Sequence, residues 1–312
     1  MVTQVSGKDL AAWRTQAQCQ ARSAGINPEE VDWLLQVLSP LDPLSLKLGR
    51  LAEAPPIPLA LPLAELERRW QQRLEQRVPV QYLAGQTPWR DFTLQVTPAV
   101  LIPRPETELI IDLAVAASQE APALARGLWV DLGTGSGAIA LGLARALPEA
   151  TILAVDQSQA ALGIAQANAQ ALGSGDRIHF YQGSWFTPLA AYRGLISAVV
   201  ANPPYIPSNL LPSLPPEVIG HEPRSALDGG TDGLEAIATL VAEAPTYLVP
   251  GGLWLVEMMQ GQGPAVKALL EASDAYRDIQ IQLDLAGRDR FTLAWRRSPP
   301  ATKPQTPYPA PG

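Results

Sequence analysis

The chain has 312 residues and a formal charge of −7, with 47% hydrophobic and 17% charged residues. That supplies enough apolar material for one large domain plus a smaller one, and it excludes disorder as the dominant state. A sequence pI near 5.0 argues against a duplex-DNA binder relying on a broad cationic surface.

The first residues, Met1-Val-Thr-Gln-Val-Ser-Gly-Lys8, lack the charged-then-apolar profile of a secretory signal. No apolar run approaches the roughly 20 residues that span a bilayer, so a soluble, cytoplasmic chain without membrane association is expected. Residues 1–80 read as a small helical domain. Leu10, Trp13, Ala17 and Ala21 recur at helix spacing, and Asn27-Pro28 offers a cap and a first-turn proline before Val31, Leu34, Leu35 and Leu38. After the prolines between Pro55 and Pro62, a charged helix is expected over Leu63–Gln76, with Leu66, Trp70 and Leu74 on its apolar edge. Such a bundle either packs only on itself or docks a partner. Cys19 is the only cysteine, which rules out an intrachain disulfide and a cysteine zinc cluster. Two histidines, His179 and His221, cannot form a three-histidine site, so no metal is expected.

Residues 81–107 are richer in β-formers. Phe92–Val96 predicts one arm of a connecting hairpin, followed by Leu101-Ile-Pro-Arg-Pro-Glu-Thr-Glu108. From 108 to 297 helix and strand alternate. Apolar runs at Leu128–Leu132, Thr151–Val155, Ile178–Tyr181, Ile196–Ala201 and Leu253–Glu257 are separated by helical stretches such as Ala138–Ala146 and Gln159–Leu172. Continuous apolar strands alternating with helices predict an α/β fold: a doubly wound, mostly parallel sheet covered on both faces. Ile279–Leu283 and Phe291–Trp295 add an antiparallel hairpin across Ala286-Gly287, making seven strands. The tail, 298–312, carries six prolines and reads as extended and disordered.

The strongest cofactor signal is Val130-Asp131-Leu132-Gly133-Thr134-Gly135-Ser136-Gly137, which follows a predicted strand and opens a predicted helix. Glycines at 133, 135 and 137 permit a tight turn and close approach of a ligand to the main chain. The dinucleotide fingerprint keeps two residues between its second and third glycines, whereas here Ser136 stands alone. A carboxylate at Asp131 suits a cofactor carrying a cationic sulfonium and ammonium better than a phosphate. Asp156, at the end of the next strand, is placed to accept hydrogen bonds from both ribose hydroxyls, although a helix cap before Ser158 is the alternative. Trp185 follows the third strand, where an adenine ring would lie; a core tryptophan is the plainer reading. Together these residues predict S-adenosyl-L-methionine as cofactor.

Asn202-Pro203-Pro204-Tyr205 follows the fourth strand, which in this connectivity neighbours the first. An amide or aromatic-amine nitrogen is a poor nucleophile, because its lone pair is delocalised. To be methylated it must be held in line with the donor while its two N–H groups are fixed. The Asn202 side-chain oxygen and the Pro203 carbonyl supply two acceptors, consecutive prolines stiffen them, and Tyr205 offers a flat face. Catalysis would then rest on positioning and on hydrogen bonds that strengthen as charge builds on nitrogen. In isolation the same four residues could be a turn.

With these motifs the chain resembles the release-factor glutamine methyltransferase family, a group of Rossmann-like enzymes. The resemblance covers roughly residues 65–296. It includes Gln81–Gly85, Leu101–Glu108, Asp131–Gly137, Asp156, Trp185-Phe186, Asn202–Tyr205 and His221-Glu-Pro-Arg-Ser-Ala-Leu227. It implies methyl transfer to the glutamine amide in the Gly-Gly-Gln loop of peptide chain release factors, with residues 1–80 as a substrate-docking domain. It also implies that Gly133–Gly137, Asp156, Trp185 and Asn202 contact the cofactor, and that Asn202–Tyr205 hold the glutamine. Arg104, Glu106 and Glu108 either close the pocket or form an internal ion-pair network. Ser184 stands where family members often carry an acid, which removes one polar contact to adenine. A monomer without direct nucleic-acid contact is expected. The rival readings are a DNA adenine amino-methyltransferase, which presents the same planar NH2 but lacks support from a basic insertion here; a glutamine methyltransferase of a ribosomal protein; and a non-catalytic cofactor-binding scaffold.

Overall fold

Residues 3–298 are described by a computed structural model; the proline-rich stretch from 299 onward, expected to be extended, lies outside the described residues. Ser6 opens the first long helix, its hydroxyl accepting the N–H of Asp9. This helix, α1 (Gly7–Ser23), turns Leu10, Trp13, Ala17 and Ala21 inward, and α2 (Glu29–Leu38) buries Val31, Leu34, Leu35 and Leu38 against them. A short α3 (Pro43–Lys47), capped by Asp42, precedes α4 (Leu63–Gln76) and α5 (Val80–Ala84). Trp13 and Trp70 meet edge to face at 6.5 Å in the centre of this bundle. Cys19 is exposed on α1, away from the buried stripe. The bundle also contains a pairing that helix periodicity hides: β1 (Thr3–Val5) runs antiparallel to β2 (Ile57–Leu59).

Next comes a hairpin, β3 (Gln86–Trp89) and β4 (Phe92–Gln95), which ends one residue short of the expected Val96. After α6 (Leu109–Glu120) the sheet begins with β5 (Leu128–Leu132), α7 (Ala138–Ala146), β6 (Thr151–Asp156), α8 (Gln159–Ala171), β7 (Ile178–Gln182) and β8 (Ile196–Ala201). It continues through α9 (Pro216–His221), α10 (Glu235–Tyr247), β9 (Leu248–Glu257), α11 (Gly263–Ala272), β10 (Tyr276–Leu283) and β11 (Asp289–Arg296). Seven strands lie in the order β10-β11-β9-β8-β5-β6-β7, with β9 through β7 parallel to one another and β11 antiparallel to both of its neighbours, β9 and β10. The expected doubly wound, mostly parallel sheet is therefore present. One apolar layer packs α6 and α7 on one face, and a second packs α10 and α11 on the other. β9 begins five residues before the expected Leu253. Pro250-Gly251-Gly252 breaks the apolar run, and the register with β8 jumps there from Ile196↔Leu248 to Ala198↔Leu253. No helix among the described residues is long and apolar enough to cross a membrane.

Charged side chains tie the bundle to the excursion between β8 and α10. Arg73, almost wholly buried, makes two hydrogen bonds to Glu30 at 2.6 and 2.9 Å and one to Glu217 of α9 at 2.8 Å. Arg77 reaches the same Glu217 at 3.0 Å, and His221 hydrogen-bonds the Gln76 carbonyl.

Candidate active site

Strand order reverses at β5: the chain winds to β6 and β7 on one side, and to β8 and β9 on the other. In such sheets the crevice beyond the carboxyl ends of the strands at the reversal is where ligands bind. The registers Leu132↔Val155, Leu132↔Ala201 and Ala201↔Val256 carry Gly133, Asp156, Asn202 and Glu257 to one edge. An open cleft of about 790 Å³, part of it continuous with solvent, lies there, walled by Gly133, Gly135, Asp156, Trp185, Asn202 and Pro204.

Asp156 braces the glycine loop. One carboxylate oxygen accepts the Gly135 N–H at 2.9 Å, and the other accepts the Ser158 N–H at 2.8 Å. Each oxygen keeps a further lone pair for a ligand. The capping reading and the ligand reading thus use different lone pairs of one side chain. Gly133, Gly135 and Gly137 all have φ between +56° and +83°, a region other residues enter only with strain. Trp185 is itself in that region at φ 47°, and its ring is the nearest neighbour to the space a Gly133 side chain would take. The following Phe186 is anchored by stacking on Tyr247 at 4.5 Å.

Asp131 lies elsewhere. It is fully buried beneath the loop, where its Oδ2 accepts the Thr134 hydroxyl at 2.6 Å and the Ala140 N–H at 3.1 Å. Its Oδ1 has no partner, and burial pushes its pKa up to about 7. Asp131, Thr134, Ser136 and Gly137 are not among the residues lining the cleft, and Asp131 and Thr134 bond to each other beneath the loop.

Asn202 sits at the head of a buried hydrogen-bond chain. Its Nδ2 donates to the Thr107 hydroxyl at 3.1 Å, Thr107 donates to Glu257 Oε2 at 2.8 Å, and the Tyr205 hydroxyl donates to Glu257 Oε1 at 3.1 Å. No protein group among the described residues donates to the Asn202 Oδ1 or to the Pro203 carbonyl. Neither Tyr205 nor Pro203 is among the residues that line this cleft. Gln262 clamps this turn from below, donating to the carbonyls of Tyr205 and Gly233.

Arg104 and Glu106 are not among the residues lining the cleft. Arg104 donates to both oxygens of Glu222 at 2.7 and 2.8 Å, Glu106 pairs with Arg288 at 3.4 Å, and Glu108 accepts the Arg90 N–H. Arg104 thereby holds the segment whose Pro223, Ser225 and Ala226 form one wall of the cleft. Those three residues were not anticipated, nor were Leu101 and Ser158 as lining or Glu257 as a buried partner. The motif His221–Leu227 carried a signal for the first group; Glu257 carried none, because it ends an apolar strand like any other.

Glu257 is wholly buried, and burial raises its pKa to about 7 against the pull of Thr107 and Arg290. A carboxyl with a raised folded pKa contributes most at low pH and loses that contribution as pH climbs through the folded value. The shift from 4.5 to about 7 corresponds to about 3 kcal/mol. Glu257→Gln cannot ionise, so the wild-type advantage in unfolding free energy should shrink by about that amount as pH rises from the ordinary carboxylate range to neutrality. Denaturant titrations over that range check it, and a pH-independent difference refutes it.

Comparison with known proteins agrees with this geometry. The family model "Methyltransferase small domain" matches residues 113–210. Release factor glutamine methyltransferase of Synechocystis sp. is 53% identical over 93% of this chain and 97% of its own length. The protein of the same name from Thermosynechococcus vestitus is 49% identical over 93% of this chain and 99% of its own. Among solved structures, the hMettl16 catalytic domain is similar in fold with a TM-score of 0.53 at 15% identity, over 77% of this chain and 83% of that one. With identity that high along nearly the whole length of both relatives, the chain belongs to the release factor glutamine methyltransferase family.

Proposed function

We propose that this methyltransferase moves a methyl group from S-adenosyl-L-methionine to the side-chain amide nitrogen of the glutamine in the Gly-Gly-Gln loop of peptide chain release factors, modulating translation termination. Family membership supports the reading. The observation that carries it is the pair of acceptors after β8, Asn202 Oδ1 and the Pro203 carbonyl, to which no protein group among the described residues donates. Two acceptors match the two N–H groups of a primary amide.

The cleft residues fit the cofactor. Asp156 retains acceptor lone pairs for a ribose diol, the glycine loop allows close backbone approach, and Trp185 offers an aromatic wall. Bound there, the cofactor supplies an electrophilic methyl group on a sulfonium. Asn202 and Pro203 fix the acceptor amide and favour the state in which its nitrogen becomes positive, because both oxygens then face more acidic N–H groups. Pro203 and Pro204 keep that arrangement from relaxing. Tyr205, pinned by Glu257, supports the face of the acceptor. No base is needed before transfer, since the amide proton is shed readily only once the methyl group has arrived.

We assign residues 1–80 to docking of the release factor, 81–107 to a linker and 108–297 to the methyltransferase unit, acting as a monomer in the cytoplasm without direct nucleic-acid or membrane contact. Co-incubation with a release factor and S-adenosylmethionine, followed by peptide mass mapping, should show a gain of about 14 Da on the Gly-Gly-Gln glutamine. Duplex DNA, with its adenine amino groups, and a ribosomal protein, with its glutamine amides, serve as controls. Methyl transfer to either with none to the release factor would reverse the assignment.

A further inference from the structure

We infer that Glu257, acting through the Thr107 hydroxyl, is a positioning residue that dictates which end of the Asn202 amide faces the acceptor. The inference rests on the glutamine-methylation reading and deepens it. A threonine hydroxyl has one proton. Here that proton is directed to Glu257 Oε2 at 2.8 Å, so Thr107 can only accept from Asn202. The Asn202 NH2 is thereby drawn to Thr107, and its Oδ1 is left pointing at the substrate side. Tyr205 gives its own single proton to the second oxygen of the same carboxylate. One buried acid therefore fixes both polar ends of the Asn202–Tyr205 turn.

Sheet pairing makes this arrangement possible. Ala201 is in register with Val256, so Asn202 and Glu257 follow on adjacent parallel strands, while Thr107 arrives from the segment before α6. An ionised Glu257 can only accept. A protonated Glu257 has a proton of its own to give, which releases Thr107 to donate to the Asn202 oxygen and lets the amide turn over. Two N–H groups would then oppose the N–H groups of the acceptor. The groups facing Glu257 are Thr107 and Glu106 on one side, Tyr205 on another, and Arg290 from β11, with Arg104 beyond Tyr205. Burial and Glu106 favour the protonated form; Arg290 and the two hydroxyl donors favour the ionised one.

The test compares Thr107→Val, Thr107→Ser and Glu257→Gln with wild type on a release factor, reading kcat, KM, the cofactor Kd, melting temperature and the pH profile of kcat. Thr107→Ser keeps the relay and should hold kcat near wild type. Thr107→Val removes the acceptor and should lower kcat at least 10-fold with cofactor Kd unchanged. Wild type should lose kcat on the acid side, and Glu257→Gln should show a low kcat without that acid limb. A merely structural role would move melting temperature while leaving the limb in place. Wild-type kcat in Thr107→Val, or an unchanged acid limb in Glu257→Gln, overturns the inference alone. A wild type silent towards release factors overturns the parent reading and this one together. If Thr107→Val fails to fold, Thr107→Ser and Glu257→Gln decide, because loss of kcat in the serine variant contradicts the relay.

Discussion

Asn202→Ala is expected to lower kcat for glutamine methylation by about 10²–10³-fold, the range seen when one preorganised hydrogen-bonding group is removed from a reacting centre. The effect should fall on kcat rather than on cofactor affinity. Asp156, the glycine loop and Trp185 stay in place in this variant, and Thr107 loses only one donor. Titration calorimetry with S-adenosylmethionine separates the two quantities. Loss of cofactor binding equal to the loss of turnover would place Asn202 in the cofactor site alone, and full turnover would remove it from the reaction.

Asp156→Ala should act on the other ligand. The wild-type carboxylate joins two backbone N–H groups and keeps lone pairs for two ribose hydroxyls. Hydrogen bonds to a charged acceptor contribute about 1.5–3 kcal/mol each, so losing a bidentate contact should weaken cofactor binding at least about 100-fold. Asp156→Asn, which keeps one acceptor oxygen, should fall between. The same calorimetry reads both variants. Affinity unchanged in Asp156→Ala would reduce this residue to a helix cap.

The fold was legible where burial is two-sided. Leu128–Leu132 and Ile196–Ala201 are central strands, and their apolar runs, interrupted only by Asp131 and Ser197, marked their limits to the residue. The β1–β2 pair was not legible, because three-residue strands joined across a whole helical bundle leave no local periodicity. At the site, the glycine loop and the turn after β8 could be read because each needs rare residue types at fixed spacing. Asp131 could be seen as special, but its partners could not: a carboxylate before a glycine loop can face the ligand or brace the loop from beneath, and here its Oδ2 accepts from Thr134 and Ala140. Thr107 and Glu257 stand 150 positions apart and meet because the segment entering α6 packs against the end of β9.

The lone thiol has a practical consequence. Because Cys19 is the only cysteine and sits on the outer side of α1, a maleimide fluorophore would attach at a single known point without any engineered mutation. Its emission would report whether the docking role proposed for the helical bundle involves the surface around α1.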